Sequence, residues 1–506
     1  MSLHGRQLLG GTATARGQSR FTATDPSTNE ALPTAFTEAT PEEVAEAAQL
    51  AASAHPMFEE AGRARRATLL RTIADTLEAL GETLLARAQA ETGLPHGRLH
   101  GERGRTTGQL RAFATLLESA DAFDVRTQAA TETTPALRTI DRAIGPVAVF
   151  GASNFPLAFS VAGGDTAAAL AAGCPVIVKA HPAHPGTSEL VGVAIANAVR
   201  ELELPPGTFG LLHGTHHAVG AALVEHPHLR AVAFTGSYAG GRALFDLAQR
   251  RPTPIPVFAE MGSVNPVFIL PGAVQDDAEG LAARLVGAVC LGVGQFCTNP
   301  GVIVARTDTA SRLLPAMAET FRANEPGVML HGGIADAYDS GCHQLARFPG
   351  VELVTMGGGT MEPGARGRPQ LFRVAAAEFL STPSLRDEVF GPSTLVVECD
   401  DDDAMLAVAA AFEGQLTATV HAAAADHPTA ARLMPLLEQR VGRIVFGGVP
   451  TGVAVCEAMH HGGPFPATTT PRETSVGTRA IRRFLRPVCY QDVPSALLPA
   501  DLRDPA

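Results

Sequence analysis

A cysteine with unusual surroundings is the first candidate for chemistry in this chain. Residues 291–301 read LGVGQFCTNPG, and the thiol belongs to Cys297. The thiolate form of cysteine attacks carbonyl carbon and forms covalent intermediates, and the flanking glycines let backbone N–H groups come close to a bound ligand. Cys174 in AAGCPVIVK and Cys290 in GAVCLG lie instead in apolar segments typical of inert, buried thiols. Cys297 is therefore the candidate nucleophile.

A single acidic residue provides the second candidate. The segment PVFAEMGSVNPVF is nearly uncharged except for Glu260. An unpaired carboxylate is expensive to bury, so its presence in an apolar segment indicates a functional task.

Two sets of apolar segments must position these residues. Over residues 145–262 the runs VAVF, PVIVK, GTFGLL, AVAFTG and PVFAEMG alternate with helical segments, which predicts a parallel, doubly wound sheet covered on both faces. The runs NPVFIL, GVIVA, STLVVE, ATVHA and RIVFGG predict a second α/β domain with Cys297 near its start. Ahead of both we expect a β-hairpin, a helix beginning at TPEEV and amphipathic helices over residues 62–121.

Composition narrows the function classes. At 506 residues the chain is long enough for two or three domains, and a net charge of −12 argues against nucleic acid as a partner. Seven widely spaced cysteines without a CxxC pair favour reduced thiols and a cytoplasmic protein, and no apolar run predicts a membrane span. The histidine-rich segments HPAHP, HGTHH and MHHGG contain no HExxH motif, so we predict loops there and no metal site. Without GxSxG or GxxxxGK[ST], a serine hydrolase and a P-loop enzyme are also disfavoured.

Six motifs, in order, resemble those of the aldehyde dehydrogenase superfamily, and the resemblance covers nearly the whole chain. They are FGASNFPLAF (150–159), VIVKAHPAHPGTS, FTGSYAGG (234–241), FAEMGSVNPVFI, GQFCTNPG and DEVFGP (387–392). The resemblance implies an α/β fold in three parts: a Rossmann-type cofactor domain (1–124 and 145–262), an α/β catalytic domain (263–480) and a small β oligomerisation arm (125–144 and 481–506). It also implies a homodimer or homotetramer.

The resemblance assigns a role to each catalytic candidate. An aldehyde is a poor hydride donor, whereas the alkoxide that Cys297 would form from it is a good one. Asn154 is expected to donate its side-chain NH₂ to that oxyanion, together with a backbone N–H near the cysteine, each worth about 3–4 kcal/mol. Glu260 is expected to activate the water that hydrolyses the thioester, and is also a candidate base for the thiol.

The resemblance further implies an NAD(P) cofactor. Ser237 and its neighbouring glycines lie between a strand and a helix, where a helix N-terminus stabilises a pyrophosphate. Lys179 would reach the adenosine ribose, and Glu388 the nicotinamide ribose with Phe390 beside the ring. The full set of predicted cofactor residues is Phe155, Lys179, His181, Pro182, Gly236, Ser237, Gly241, Glu388 and Phe390.

One departure from the family pattern favours NADP over NAD. Many NAD-preferring members carry a glutamate three residues after the lysine, where it repels a 2′-phosphate, and this chain has Pro182 there. His181, His216 and His217 could assist as donors if protonated.

The substrate prediction depends on a finer resemblance. The segments HGERGRTTGQLRAFATLLE and HHGGPFPATTTPRETSVGTRAIRRFLRPVCYQDVP resemble one branch, the dehydrogenases of α-ketoglutaric semialdehyde (2,5-dioxovalerate), which are also similar to fatty aldehyde dehydrogenases of luminous bacteria. A substrate with a carboxylate needs a cationic residue, for which we select Arg105, with Gln109 one helical turn on and Phe159 beside the pocket. Oxidation of neutral or fatty aldehydes, CoA-dependent acylation and a catalytically silent binding protein remain open alternatives.

Overall fold

Two seven-stranded sheets form the body of the protein. The computed structural model describes residues 3–119 and 122–503. Strands and helices are numbered in chain order. The first sheet contains, in spatial order, β11 (Val257–Glu260), β10 (Ala231–Thr235), β7 (Val147–Phe150), β8 (Val176–Lys179), β9 (Phe209–Leu212), β1 (Gln7–Leu9) and β2 (Thr12–Thr14).

The first five strands in this order, from β11 at the edge to β9, are the predicted apolar runs, and they are parallel. Val147 and Val149 contribute to the apolar core on one face, while Ala148 and Phe150 contribute to the core on the other. Because side chains alternate along a strand, a continuous apolar run is what a sheet covered on both faces requires. The antiparallel β1–β2 hairpin at the edge of the sheet was not predicted.

The second sheet repeats this arrangement. It contains, in spatial order, β15 (Glu352–Met356), β17 (Gln370–Ala375), β18 (Ser393–Cys399), β13 (Val302–Arg306), β12 (Val267–Ile269), β19 (Gln415–His421) and β20 (Val441–Phe446). All neighbours are parallel except the β15–β17 pair. The five apolar runs of the second set all form strands here, as predicted.

Three smaller sheets complete the strand list. The predicted hairpin is β3 (Arg20–Asp25) with β4 (Glu30–Thr37), and a second short pair is β14 (Gly327–Val328) with β16 (Arg366–Gly367). An antiparallel sheet has the order β21 (Leu485–Gln491), β6 (Leu137–Ala143) and β5 (Arg126–Gln128). The strands of the first main sheet, of the second main sheet and of the β21–β6–β5 sheet fall within the ranges predicted for the cofactor domain, the catalytic domain and the oligomerisation arm, in that order. The division into domains itself stays a prediction.

Fourteen helices of the described residues surround the sheets. They are α1 (Pro41–Glu60), α2 (Gly62–Ala79), α3 (Gly81–Thr92), α4 (His96–Glu118), α5 (Gly164–Ala172), α6 (Pro185–Glu201), α7 (His217–Glu225), α8 (Tyr238–Gln249), α9 (Ala278–Cys290), α10 (Thr307–Ala323), α11 (Gly332–Leu345), α12 (Ala376–Ser381), α13 (Asp402–Ala411) and α14 (His427–Glu438). Helix α1 begins as predicted: Thr40 and Glu43 form a capping box, and Pro41 occupies the first turn.

The parallel strands bring the candidate residues to one edge. Asn154 follows β7, Lys179 ends β8, Ser237 follows β10 and Glu260 ends β11. Since the carboxyl ends of neighbouring parallel strands lie side by side, residues far apart in sequence meet there, at the usual ligand-binding edge of an α/β sheet.

Candidate active site

Cys297 lies on a tightly turned loop between α9 and β13. The preceding residues Gly292, Val293 and Gly294 have φ of 55°, 58° and 67°, in the left-handed region. A Cβ at Gly294 would lie 2.1 Å from the carbonyl oxygen of Gly391. Only glycine therefore lets this loop approach the segment that carries Glu388.

A buried asparagine holds the other side of the loop. The Nδ2 atom of Asn265 donates to the carbonyl oxygens of Cys297 and Asn299, each at 2.9 Å. Its Oδ1 atom accepts hydrogen bonds from Ser263 and Thr417. The nucleophile loop is thereby fixed at the amino edge of the second sheet, just before β12 and β13 begin.

The predicted oxyanion donor lies against the same loop. Asn154 is buried, and its Nδ2 atom donates to the carbonyl oxygen of Gln295 at 3.1 Å. Arg98 fixes the backbone of this residue by donating to its carbonyl oxygen at 2.8 Å. An amide donor held two residues from Cys297 is suitably placed to stabilise negative charge near the sulfur.

Two residues that the sequence analysis did not select complete the group around Cys297. The Nε2 atom of His461 lies 3.6 Å from Sγ of Cys297 and 3.0 Å from Oε1 of Glu260. Ser475 donates a hydrogen bond from its hydroxyl to the other carboxylate oxygen of Glu260. The imidazole thus stands between the thiol and the carboxylate, and a reactive atom of each group lies within 4.8 Å of the other two.

One segment of the chain brings both His461 and Ser475 to Glu260. After β20, residues 461–476 cross from the second sheet to the end of β11, where the Met261 N–H donates to the Ala467 carbonyl at 2.8 Å. Within this crossing segment, the Ser475 N–H donates to the carbonyl oxygen of His461 at 2.9 Å. His461 and Ser475, whose side chains both contact Glu260, are consequently held to one another by this backbone hydrogen bond.

The electrostatics show why the thiol needs a base. Burial raises the pKa of Cys297 well above its ordinary value, and the carboxylates of Glu260 and Glu388 raise it further, against a smaller opposing effect of Arg105. Burial also raises the pKa of Glu260, but the adjacent His461 and the Ser475 hydroxyl outweigh it, so that the net pKa is lowered. The thiol is therefore protonated and Glu260 ionised at neutral pH. The Nε2 atom of His461 faces both groups, so it is placed to take a proton from the sulfur and, once protonated, to donate to Glu260.

Only the tertiary structure reveals His461. Its segment, MHHGG, was assigned to a loop, which is correct, but the ring is buried in the active site. A pair of histidines followed by glycines, in a stretch before PFPATTT where Glu457 is the one charged residue, was the available sign. Of the two thiols predicted to be inert, Cys174 is buried and Cys290 half-buried, and burial raises the pKa of each to about 12.

A cleft of about 840 Å³ connects the nucleophile to the first sheet. This volume lies within the range of about 300–1,000 Å³ that is typical of small-molecule and cofactor sites. Of the predicted residues, its walls contain Asn154, Lys179, His181, Pro182, His216, His217, Gly236, Ser237, Glu260, Cys297, Glu388 and Phe390. The cleft therefore joins the carboxyl edge of the five parallel strands to the sulfur, as a dinucleotide beside Cys297 requires.

The start of α8 suits a pyrophosphate, although one glycine there has a different role. The Ser237 hydroxyl caps the helix by accepting from the Gly240 N–H at 3.2 Å. Gly241 does not line the cleft, contrary to prediction. A Cβ at this glycine would lie 2.6 Å from Cγ of Met261, so its role is to let α8 pack closely on the segment after β11.

Lys179 and Glu388 lie on the cleft walls with shifted pKa values. Burial lowers the pKa of Lys179 to about 8, with Glu38 acting in the opposite direction. The surrounding protein raises the pKa of Glu388 to about 7, although its side chain opens onto the cleft. Oε2 of Glu388 lies 2.3 Å from where a Cβ at Gly262 would be, so the carboxylate rests directly over this glycine.

His181 cannot supply the positive charge that we expected from it. Its ring stacks on His184 with the centroids 5.4 Å apart. Burial lowers its pKa well below the ordinary value, and His184, Lys179 and His331 lower it further. The imidazole is therefore neutral at pH 7.

Phe155 was predicted to contact the cofactor, and the structure places it elsewhere. Its ring packs edge-on against Phe159 and Phe296, with centroids 5.2 and 5.5 Å away, and Arg98 covers it at 4.6 Å. It does not line the cleft. Phe155 belongs instead to an aromatic cluster (Phe155, Phe159 and Phe296) beside the nucleophile loop.

The three predicted substrate residues occupy different positions. Phe159 lies near the catalytic group, its ring centroid 6.5 Å from that of His461, and the guanidinium of Arg105 lies 5.5 Å from the same ring. Gln109 is buried, and its Nε2 atom would lie 2.9 Å from a Cβ at Gly164, at the start of α5. Arg105 thus lies beside the active site, whereas Gln109 packs against α5.

Known proteins are similar to this chain over nearly its full length. Within residues 3–119 and 122–503, none of the helices combines the length and apolar character that crossing a bilayer demands. Over the whole length, the chain is 50% identical to "Alpha-ketoglutaric semialdehyde dehydrogenase 2" of Azospirillum brasilense, covering 100% of this chain and 97% of that one. It is 44% identical to "Alpha-ketoglutaric semialdehyde dehydrogenase" of Acinetobacter baylyi, covering 99% and 96%.

Solved structures share the fold. A betaine aldehyde dehydrogenase variant from Staphylococcus aureus, in complex with NAD⁺, superposes with a TM-score of 0.84 at 19% identity and full coverage of both chains. The model of the family described as "Aldehyde dehydrogenase family" matches residues 13–463. The chain therefore belongs to the aldehyde dehydrogenase family and is an NAD(P)-dependent oxidoreductase that converts an aldehyde to a carboxylate.

Proposed function

We propose that this chain oxidises α-ketoglutaric semialdehyde (2,5-dioxopentanoate) and that Cys297 is the nucleophile. The observation that carries the substrate is the identity of 50% along the whole chain to a relative named for that activity. The position of Arg105 beside the aromatic cluster supports an anionic substrate, because a partly buried cation favours a ligand of opposite charge.

The first step is the formation of a carbon–sulfur bond. His461 accepts the thiol proton across the 3.6 Å contact, and Sγ attacks the aldehyde carbon to give a thiohemiacetal. The charge that develops on the former aldehyde oxygen is stabilised by the Asn154 amide. The same Nε2 atom lies 3.0 Å from Oε1 of Glu260, so once it carries the proton it donates to Glu260, which stabilises the imidazolium.

The second step is oxidation, and the third is hydrolysis. The bound nicotinamide supplies the hydride acceptor. Loss of hydride from the tetrahedral carbon leaves a thioester on Cys297. Glu260, with Ser475 fixing one of its oxygens, then takes a proton from the attacking water, and the carboxylate product leaves as the cysteine sulfur is released.

We propose that NADP is preferred over NAD. Pro182 on the cleft wall carries no negative charge where a glutamate would repel a 2′-phosphate, and Lys179 is near. The one carboxylate that raises the Lys179 pKa is Glu38. It accepts a hydrogen bond from the Thr215 N–H at 3.1 Å and does not line the cleft. The measurement is the ratio of kcat/KM for NADP to that for NAD. We expect a ratio above one that falls below one in Pro182→Glu, and a wild-type preference for NAD would refute the proposal.

A second substrate class has one observation in its favour. The aromatic cluster offers an apolar surface to a neutral aliphatic aldehyde. The two substrates are separated by measuring NADPH formation with 2,5-dioxopentanoate and with pentanal, which has the same chain length and no charged group. We expect kcat/KM for the dioxo acid to be higher, and the reverse order would refute the proposed substrate.

Cys297→Ala should be inactive with both aldehydes, whereas retained turnover would refute the assignment of the nucleophile.

We also propose that the chain is a cytoplasmic homodimer or homotetramer joined through the β21–β6–β5 sheet. Both outer strands of this sheet, β21 and β5, have an edge that no other described strand covers. Such edges favour pairing with another chain. Light scattering during size exclusion should give a mass of two or four chains, and a monomer would contradict the proposal.

A further inference from the structure

We propose that Arg443 and Arg105 together bind the 2-oxo acid end of the substrate, and that the loop of residues 450–453 holds both guanidinium groups until the substrate displaces it. The inference rests on the proposed function, and it assigns Arg443, on β20, to substrate binding.

The two arginines come from distant parts of the chain and meet at one short loop. Arg105, on α4, donates from Nη1 to the carbonyl oxygen of Val453 at 3.1 Å. Arg443 donates from its two terminal nitrogens to the carbonyl oxygens of Gly452 and Pro450. Three carbonyl oxygens within four residues therefore serve two cations.

Among the residues that the structure describes, neither Arg105 nor Arg443 forms an ion pair with a carboxylate, whereas the neighbouring Arg98 lies 3.8 Å from Glu102. Burial lowers the pKa of both guanidinium groups, a thiolate at Cys297 would raise it in both, and the carboxylates of Glu102 and Glu260 raise the pKa of Arg105. Partly buried cations without a carboxylate are unusual in proteins unless a ligand neutralises them.

Hydrogen bonds connect Arg443 to the nucleophile. Its strand pairs with β19, where Thr417 is its partner. The Thr417 hydroxyl donates to Oδ1 of Asn265 at 3.0 Å, and Nδ2 of Asn265 holds the Cys297 carbonyl at 2.9 Å. The residue before Arg443 also packs against the segment of His461, because a Cβ at Gly442 would lie 2.1 Å from the carbonyl oxygen of Gly462.

The chemistry of the loop carbonyls matches that of the substrate. A 2-oxo acid presents two carboxylate oxygens and one keto oxygen close together, which is a set of three acceptors. The loop offers three carbonyl acceptors to the same guanidinium groups. An anionic acceptor forms the stronger hydrogen bond with guanidinium, so the substrate can displace the loop, whereas a neutral aldehyde brings no such group.

The test compares Arg443→Gln with a matched control, Arg440→Gln. Arg440 lies three residues earlier, and its guanidinium donates to the Ala410 carbonyl oxygen at 3.2 Å, away from the loop. With 2,5-dioxopentanoate we expect KM of Arg443→Gln to rise about ten- to hundred-fold with little change in kcat, the usual effect of losing a charged hydrogen bond. With pentanal we expect KM to stay within about two-fold, and Arg440→Gln should resemble the wild type with both substrates.

A second measurement needs no turnover. Calorimetric titration with 2-oxoglutarate, the product, should show about ten-fold or more weaker binding to Arg443→Gln than to the wild type. If Arg443→Gln does not fold, Arg443→Lys keeps the charge, and we expect it to show a smaller increase in KM confined to the acidic substrate.

The outcomes separate this inference from the proposed function. If the wild type prefers the dioxo acid but Arg443→Gln changes KM for both aldehydes equally, or binds 2-oxoglutarate normally, then the role of Arg443 is refuted and the proposed function stands. If the wild type itself prefers pentanal, both are refuted.

Discussion

Replacing His461 by glutamine tests the proton path from the sulfur. The substitution keeps a polar side chain of similar length but removes the imidazole that contacts Sγ at 3.6 Å. A free thiol with an ordinary pKa near 8.5 is only about 3% ionised at pH 7, and the half-buried Cys297, with its raised pKa, is ionised less. Without His461 the attacking species therefore becomes scarce.

The expected loss follows from this geometry. Removal of a general base lowers rates by about 10²–10⁴-fold. A carboxylate oxygen of Glu260 lies within 4.8 Å of the sulfur. Glu260 can therefore accept the thiol proton in place of His461, which limits the loss of rate. We expect kcat/KM to fall by about 10²–10³-fold at pH 7, or about 3–4 kcal/mol in activation free energy.

Two assays read this step. The first is the pre-steady-state rate of NADPH formation, which reports the steps up to formation of the thioester. The second is the rate of alkylation of Cys297 by iodoacetamide, which reports the thiolate without substrate or cofactor. Both rates should fall in His461→Gln at pH 7 and recover as the pH is raised towards 10. The matched control is His460→Gln, since this adjacent ring packs against Gly442 and Gly462.

Two results would contradict the mechanism. A His461→Gln enzyme that is alkylated at the wild-type rate at pH 7 would show that another group deprotonates the sulfur. Equal losses in His460→Gln and His461→Gln would indicate a disturbed segment rather than a missing base.

Three further outcomes are expected. Asn154→Ala should lower single-turnover NADPH formation by about 10²–10³-fold through loss of the oxyanion donor, and wild-type rates would exclude that role. Burial favours the neutral amine of Lys179, whose pKa is about 8, so the ammonium is lost as the pH rises through 8. KM for NADP should therefore rise between pH 7 and 9 in the wild type and stay flat in Lys179→Arg, and parallel profiles would argue against the contact. In urea denaturation Gly294→Ala should cost about 2 kcal/mol or more, because its Cβ would meet the Gly391 carbonyl at 2.1 Å. Gly287→Ala, with open space around the Cβ, is the control, and equal effects would refute the argument.

Local sequence determined most of the architecture. The apolar runs bounded by Gly and Pro became ten parallel strands because an alternating side-chain direction leaves a uniformly apolar run only one favourable place, a sheet covered on both faces. The Thr40 cap fixed the start of α1 by hydrogen bonds within one turn. Cys297 and Glu260 could be selected from their immediate neighbours, because a thiol among glycines and a lone carboxylate in an apolar segment are both unusual locally.

The composition of the active site was decided by contacts between distant segments. His461 reaches Cys297 only because the chain crosses back to the first sheet after β20, and nothing within a few residues of His461 encodes that path. The same is true of Phe155, which joined an aromatic cluster instead of the cofactor cleft, and of His181, whose charge depends on how deeply its neighbours bury it. Periodicity and capping are short-range signals, whereas burial, pKa and the meeting of side chains are properties of the assembled fold.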